Sequence, residues 1–247
     1  MANYYYAKFQ DVITPCNEAL EILKDSIFKD LIGLGHFILG AANRSLGELD
    51  TAVKYLIKGT ENISLRGKLG IYNCYCYYQL AEINVQIKDF LTAEKYYNKV
   101  IDIARELGSS SVLFRAYNGI ANLNLSINNI DKCKEFLDLS LAVKGLSNAE
   151  KGRGYCDLGI YYHENGEYKK AIDILSKSYD IRIKSKLHDA ASTSLLNLGK
   201  TQLAYNDSNN ALKALEQALQ ICLEYQSKSK LLLCYELIAE TYDRLGE

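Results

Sequence analysis

A small side chain returns five times along this chain at nearly equal intervals, at Ala52, Ala93, Cys133, Ala171 and Ala211, spaced by 41, 40, 38 and 40 residues. A period in this range marks stacked supersecondary units, each too small to bury its own apolar face and each completed by its neighbours. The expected fold is all-α, a solenoid of antiparallel helix hairpins. The scarcity of proline agrees: Pro15 stands alone in 247 residues, and proline inside a helix costs about 3 kcal/mol.

The copy from Tyr155 to Ile181 shows the plan of one unit. Tyr155, Leu158, Gly159 and Tyr162 fall at i, i+3, i+4 and i+7, one face of a helix. Asn165-Gly166 then stops it, because glycine takes the left-handed conformation cheaply. A second helix follows with Ala171, Leu175 and Ser178 on its inner stripe, and small residues at Gly159 and Ala171 allow the two helices to approach closely.

This pattern resembles the tetratricopeptide repeat, whose consensus runs aromatic, Leu-Gly, Tyr, then Gly-Asp-Tyr, Ala, an aromatic and a second Ala. Phe37 to Gly40 with Gly47 and Ala52 fits it, as do Tyr77, Leu80-Ala81 and Ala93, Tyr117, Ile120-Ala121 and Cys133, and Leu198-Gly199, Ala211 and Ala218. The resemblance implies a right-handed superhelix over the whole chain, 1–247. Full copies are expected at 31–64, 72–107, 112–146, 152–186 and 190–226. A degenerate second helix at 14–28 would precede them, capped by Thr14 with Pro15 as its first residue. The first helix of a truncated copy at 230–247 would follow. The family's usual interval is 34 residues and its second helix ends in proline. Here the interval is near 40 and that proline is missing, as in the long-repeat branch of kinesin light chains and bacterial sensor and regulator arrays. The helices should therefore be about one turn longer. Tyr235, Ile238 and Tyr242 have no following helix in the sequence, so the native polypeptide is expected to continue beyond Glu247.

Bulk properties exclude several function classes. A net charge of −1 gives no field to draw nucleic acid or an anionic membrane. Seven cysteines, an odd number without CxxC spacing, read as reduced thiols in a cytoplasmic protein. The longest nearly apolar stretch, 31–42, is far short of the ~20 residues of a membrane span. His36, His163 and His188 lie in different copies without a second ligand type spaced for a metal, so no cofactor is expected. Gly33-Leu34-Gly35 has the wrong spacing for a dinucleotide loop, and Lys151-Gly152-Arg153-Gly154 lacks the ending of a phosphate loop. No acid, base and nucleophile set stands out, so no enzyme activity is expected.

What remains is a binding surface. In the resembled family the first helix of each hairpin lines a concave groove. Its offsets carry over to Phe37 and Arg44 in one copy, Tyr78, Gln79 and Glu82 in the next, and then Asn118 and Asn122. Asp157, Ile160 and His163 follow, and Leu196, Asn197 and Lys200 come last. Asn118, Asn122 and Asn197 carry amides that can pair with the backbone of an extended peptide. An acidic residue at 157 argues against a clamp for a peptide C-terminal carboxylate. The expected partner is a protein or peptide, with regulatory input to a larger bacterial signalling enzyme and a homodimer through the C-terminal helix face as alternatives.

Overall fold

The computed structural model describes residues 2–65 and 69–246, with side chains for residue 9 and from residue 11 onward; Met1, residues 66–68 and Glu247, the last residue of the expected truncated copy, lie outside the described residues. Among the described residues the chain forms twelve helices and no strand. They are α1 (Ala2–Leu23), α2 (Lys29–Leu46), α3 (Leu49–Asn62), α4 (Gly70–Gln86), α5 (Phe90–Glu106), α6 (Ser110–Ser126), α7 (Ile130–Ala142), α8 (Asn148–Glu164), α9 (Tyr168–Lys184), α10 (His188–Ala204), α11 (Ser208–Glu224) and α12 (Lys228–Leu245). None is long and apolar enough to cross a membrane. The architecture is an all-α repeat solenoid.

The helices keep a strict step. From α4 to α7, and again from α8 to α12, each helix starts 20 residues after the one before. A 17-residue helix and a three-residue turn fill that step, so two of them make the 40-residue period. The turns end in one way. The N–H two residues past the cap reaches back five positions, as in Glu167 to the Tyr162 carbonyl at 2.8 Å and Ser227 to that of Cys222 at 2.9 Å. The residue between them is left-handed. Gly166 (φ 75°) takes this conformation without strain, but Lys88, Asn128, Lys186, Asn206 and Gln226 adopt it with side chains attached.

One expectation fails at the N-terminus. Thr14 caps nothing, because α1 begins at Ala2 and runs through Pro15. Proline removes one donor and crowds the carbonyl four residues back, a cost that a 22-residue helix absorbs.

The chain divides into two compact units, Met1–Leu123 and Asn124–Glu247. In the first, α2 packs against α1, α3 and α4, and α4 against α5. Its core gathers Ala52, Leu56, Ile63, Cys76, Leu80 and Ile83. Gly33 and Gly35 serve this packing: a Cβ on Gly33 would lie 2.5 Å from Ile63 Cγ1, and one on Gly35 2.9 Å from Leu20 Cδ2. In the second unit α8 packs against α7, α9 and α10, and α10 against α9, α11 and α12. Leu175, Leu195, Leu198 and Leu215 fill its core with the small residues Ala171, Ala211 and Ala218.

A buried polar chain ties α8, α9 and α10 together. Arg182 Nη1 donates to the Ala190 carbonyl at 2.7 Å and to Ser194 Oγ at 2.9 Å. Ser178 Oγ spends its only hydrogen on the Gly152 carbonyl at 2.6 Å, so Ser194 is the donor in the 2.8 Å contact between the two hydroxyls. Every link runs in one direction, which lets an arginine sit in the packing of the second unit.

Candidate functional site

Equivalent positions of successive first helices meet. In the first unit Arg44 on α2 reaches across to α4, where it donates to Gln79 Oε1 and pairs with Glu82 at 3.4 Å. Tyr97, from α5, donates its hydroxyl to the other Glu82 oxygen. At the equivalent place in other copies stands a leucine, Leu56, Leu137, Leu175 or Leu215. The longer tyrosine side chain passes through the packing, and its hydroxyl emerges beside Glu82. Burial and the Glu82 carboxylate push the Tyr97 phenol above its ordinary pKa, so it stays a donor at any physiological pH.

Further along the same pair of helices lies an aromatic group. Phe37 packs on Tyr72 and Tyr75, with centroids 5.5 and 6.1 Å apart, and Tyr78 meets Tyr97 edge to face at 5.7 Å. All but Tyr97 are partly exposed, which leaves an apolar surface next to a charged one.

The second unit repeats the arrangement with other chemistry. Asn197 on α10 donates to the Thr193 carbonyl at 2.9 Å and contacts Cys156 Sγ on α8 at 3.8 Å. His163 Nδ1 lies 3.0 Å from Thr201 Oγ1, whose hydrogen goes to the Asn197 carbonyl at 2.7 Å. Nδ1 must therefore carry the proton, leaving Nε2 as an acceptor. Burial and nearby Lys200 hold the His163 pKa below its ordinary value against the opposing pull of Glu164. Lys200 and Glu164 pair at 3.4 Å.

Asp157 is the most perturbed acid of this face. Its side chain is 16% exposed and lies 3.8 Å from Arg153 Nε. Burial raises its pKa to about 6 in spite of the opposing charges of Arg153 and Arg182. Part of it is thus protonated just below neutrality.

Two expected groove residues are not on a free surface. Asn118 is 2% exposed and Leu196 4% exposed, both enclosed by helix packing. The family offsets assume a fixed rotation of the first helix, and at these two positions the side chain faces a neighbour instead. Asn122 and Lys200 are exposed; Phe37, Arg44, Tyr78, Gln79, Glu82, Asp157, Ile160, His163 and Asn197 are half-buried. Residue pattern alone missed Tyr97 and Thr201. An aromatic at the Leu position was the signal for the first; nothing in the sequence pointed to the second.

Models of the tetratricopeptide repeat match residues 150–224 and 75–107. No curated protein sequence matches significantly. Among solved structures, BtubC (BKLC) from P. vanneervenii superposes with a TM-score of 0.70 at 15% identity, covering 92% of each chain. A Rap protein complexed with the competence and sporulation factor gives 0.70 at 15% identity, covering 93% of this chain and 68% of that one. The STAND protein PH0952 from Pyrococcus horikoshii, which has a tetratricopeptide repeat sensor, gives 0.69 at 15% identity over 96% of this chain and 38% of its own. At these identities the superpositions speak for the fold alone, and the family models identify tetratricopeptide repeats in the chain at 75–107 and 150–224.

Proposed function

We propose that the chain is a non-catalytic interaction module that holds polypeptide segments on the partly exposed first-helix side chains of its units. The observation that carries this is the register of the contacts. Arg44 with Glu82, Cys156 with Asn197, His163 with Thr201 and Glu164 with Lys200 each join residues about one repeat apart. The side chains are held in place by one another while donors and acceptors still reach the surface, which lowers the ordering cost of binding. In the first unit Asn122 would serve a peptide backbone and Phe37 and Tyr78 its apolar side chains; in the second, Asn197 and His163 Nε2 would serve the backbone and Ile160 an apolar side chain. The Rap protein solved with the competence and sporulation factor supports the idea by fold.

The test is a display selection of peptides on the whole chain, followed by fluorescence anisotropy of the selected peptides. Arg44→Ala and His163→Ala change partly exposed side chains and should weaken binding about tenfold or more, the worth of one charge-assisted or buried hydrogen bond. Peptides that bind both variants as tightly as the parent would remove this face from the account.

The STAND protein with its repeat sensor favours a second use, as the input region of a larger signalling protein. The complete reading frame decides it: a stop codon directly after Glu247 refutes it. A homodimer would use the exposed Leu232, Leu233 and Tyr235 of α12. Light scattering at high concentration tests that, and a monomer refutes it.

A further inference from the structure

A cavity of 480 Å³ opens between α1, α2 and α3, away from the row of first-helix contacts and unused by it. Its walls follow from one close approach. Gly35 lets Leu20 of α1 settle on α2, and Cys16 Sγ donates to the Gly35 carbonyl at 3.3 Å. Beside that contact Leu20 and Ile32 form an apolar floor, and Lys24, Lys58, Asn17 and Tyr55 bring donors to the same space.

His36 is part of its lining. The ring stacks on Tyr55 with centroids 6.0 Å apart and planes 28° from parallel. Nδ1 is sealed from solvent and has no hydrogen-bond partner. Burial and the charge of Lys58 lower the His36 pKa, and Glu61 works in the other direction, so the imidazole is neutral at pH 7. Lys58 Nζ lies 6.0 Å from the Tyr55 ring centre. Lys24 is 3.9 Å from Glu21, beyond hydrogen-bond distance. Two lysines against one carboxylate make the lining net positive, and the volume suits a small molecule.

We propose that this cavity binds a small organic anion, a carboxylate or phosphate on a compact apolar body. Lys58 and Lys24 hold the oxyanion, with the Asn17 amide and Tyr55 hydroxyl as further donors. The body rests on Leu20, Ile32 and the His36–Tyr55 stack. Such a ligand offsets the charge of Lys58 at the imidazole and fills a slot that nothing else in the fold uses.

The test uses the whole chain and the histidine imidazole signals, of which there are three, assigned through His36→Gln, His163→Gln and His188→Gln. Benzoate and phenyl phosphate are the probes, one for each oxyanion. Benzamide is the neutral control, and sodium chloride matches ionic strength. The expected result is a saturable shift of the His36 signal and a rise of its pKa with at least one anion, with His163 and His188 unmoved. Lys58→Ala, an exposed position that leaves the packing intact, should weaken the affinity about tenfold or more. A shift reproduced by sodium chloride or benzamide overturns the proposal. So does saturable binding that leaves the His36 signal in place, or that survives unchanged in both Lys58→Ala and Lys24→Ala.

Discussion

Replacing Gly159 by alanine tests the packing at the centre of a hairpin. A Cβ at that position would lie 2.5 Å from Leu175 Cγ and 2.7 Å from its Cδ2, against an ordinary carbon contact of about 3.5–4.0 Å. Leu175 is fully buried and walled in by the second unit's core, so it cannot swing clear. Overpacking of this kind costs about 1–3 kcal/mol. Alanine returns about 1 kcal/mol through its better helix propensity. Gly159→Ala should therefore destabilise by about 0–2 kcal/mol, the overpacking cost less the propensity gain. Leu175→Ala alone should cost about 3–5 kcal/mol through the void it leaves. In the double variant the new methyl occupies part of that void, so its loss should fall short of the sum by about 1–2 kcal/mol. Urea unfolding followed by far-UV circular dichroism supplies all three numbers. A Gly159→Ala midpoint clearly above the parent's would refute the close-approach account. So would a double variant additive to within about 0.5 kcal/mol. Gly40 with Leu56 and Gly199 with Leu215, each at 2.6 Å, repeat the experiment in the other hairpins.

Arg182→Met removes a buried donor from the Ala190 carbonyl and Ser194 while keeping most of the volume; it should cost about 2–4 kcal/mol by urea unfolding, and a neutral outcome refutes the polar chain. Asp157 has a folded pKa of about 6 against an ordinary value near 4. The raised value means that its proton stabilises the fold below pH 4 and that this contribution is lost as the pH climbs to 6. Asp157→Asn should accordingly be more stable than the parent at pH 7, by up to about 3 kcal/mol. The advantage should shrink to nothing by pH 4; an equal gain at both pH values refutes the assignment. Ser147→Ala breaks the capping box with Glu150 at the start of α8 and should cost about 1 kcal/mol in thermal or urea unfolding, with no loss counting against the cap.

The periodic part of this protein was legible in its sequence. Small residues at a 40-residue interval, Gly159 ahead of Ala171 and the Asn165-Gly166 stop each place an element that the structure contains, since they report local geometry and close approach. Other features were not legible. The sequence signal for a turn is glycine, so Lys88, Lys186 and Gln226 hid the 20-residue step that their left-handed backbones reveal. Pro15 read as a helix start because the helix that runs through it draws its support from other residues. Asn118 and Leu196 were placed by family offset, which fixes a position along a helix but not the rotation of the helix about its own axis. The cavity at His36 needs three helices at once, and no short motif encodes it.

The joints of the second unit carry a mechanical consequence. From α8 to α12 every connection has three residues, and those between hairpins are as short as those inside them. No slack segment exists there in which a tilt of one rod could be lost. A ligand that turns α10 by a few degrees must drag α9 and α11 along, much as one cog drives its neighbours. Compliance is left to 143–147, the longer stretch ahead of α8.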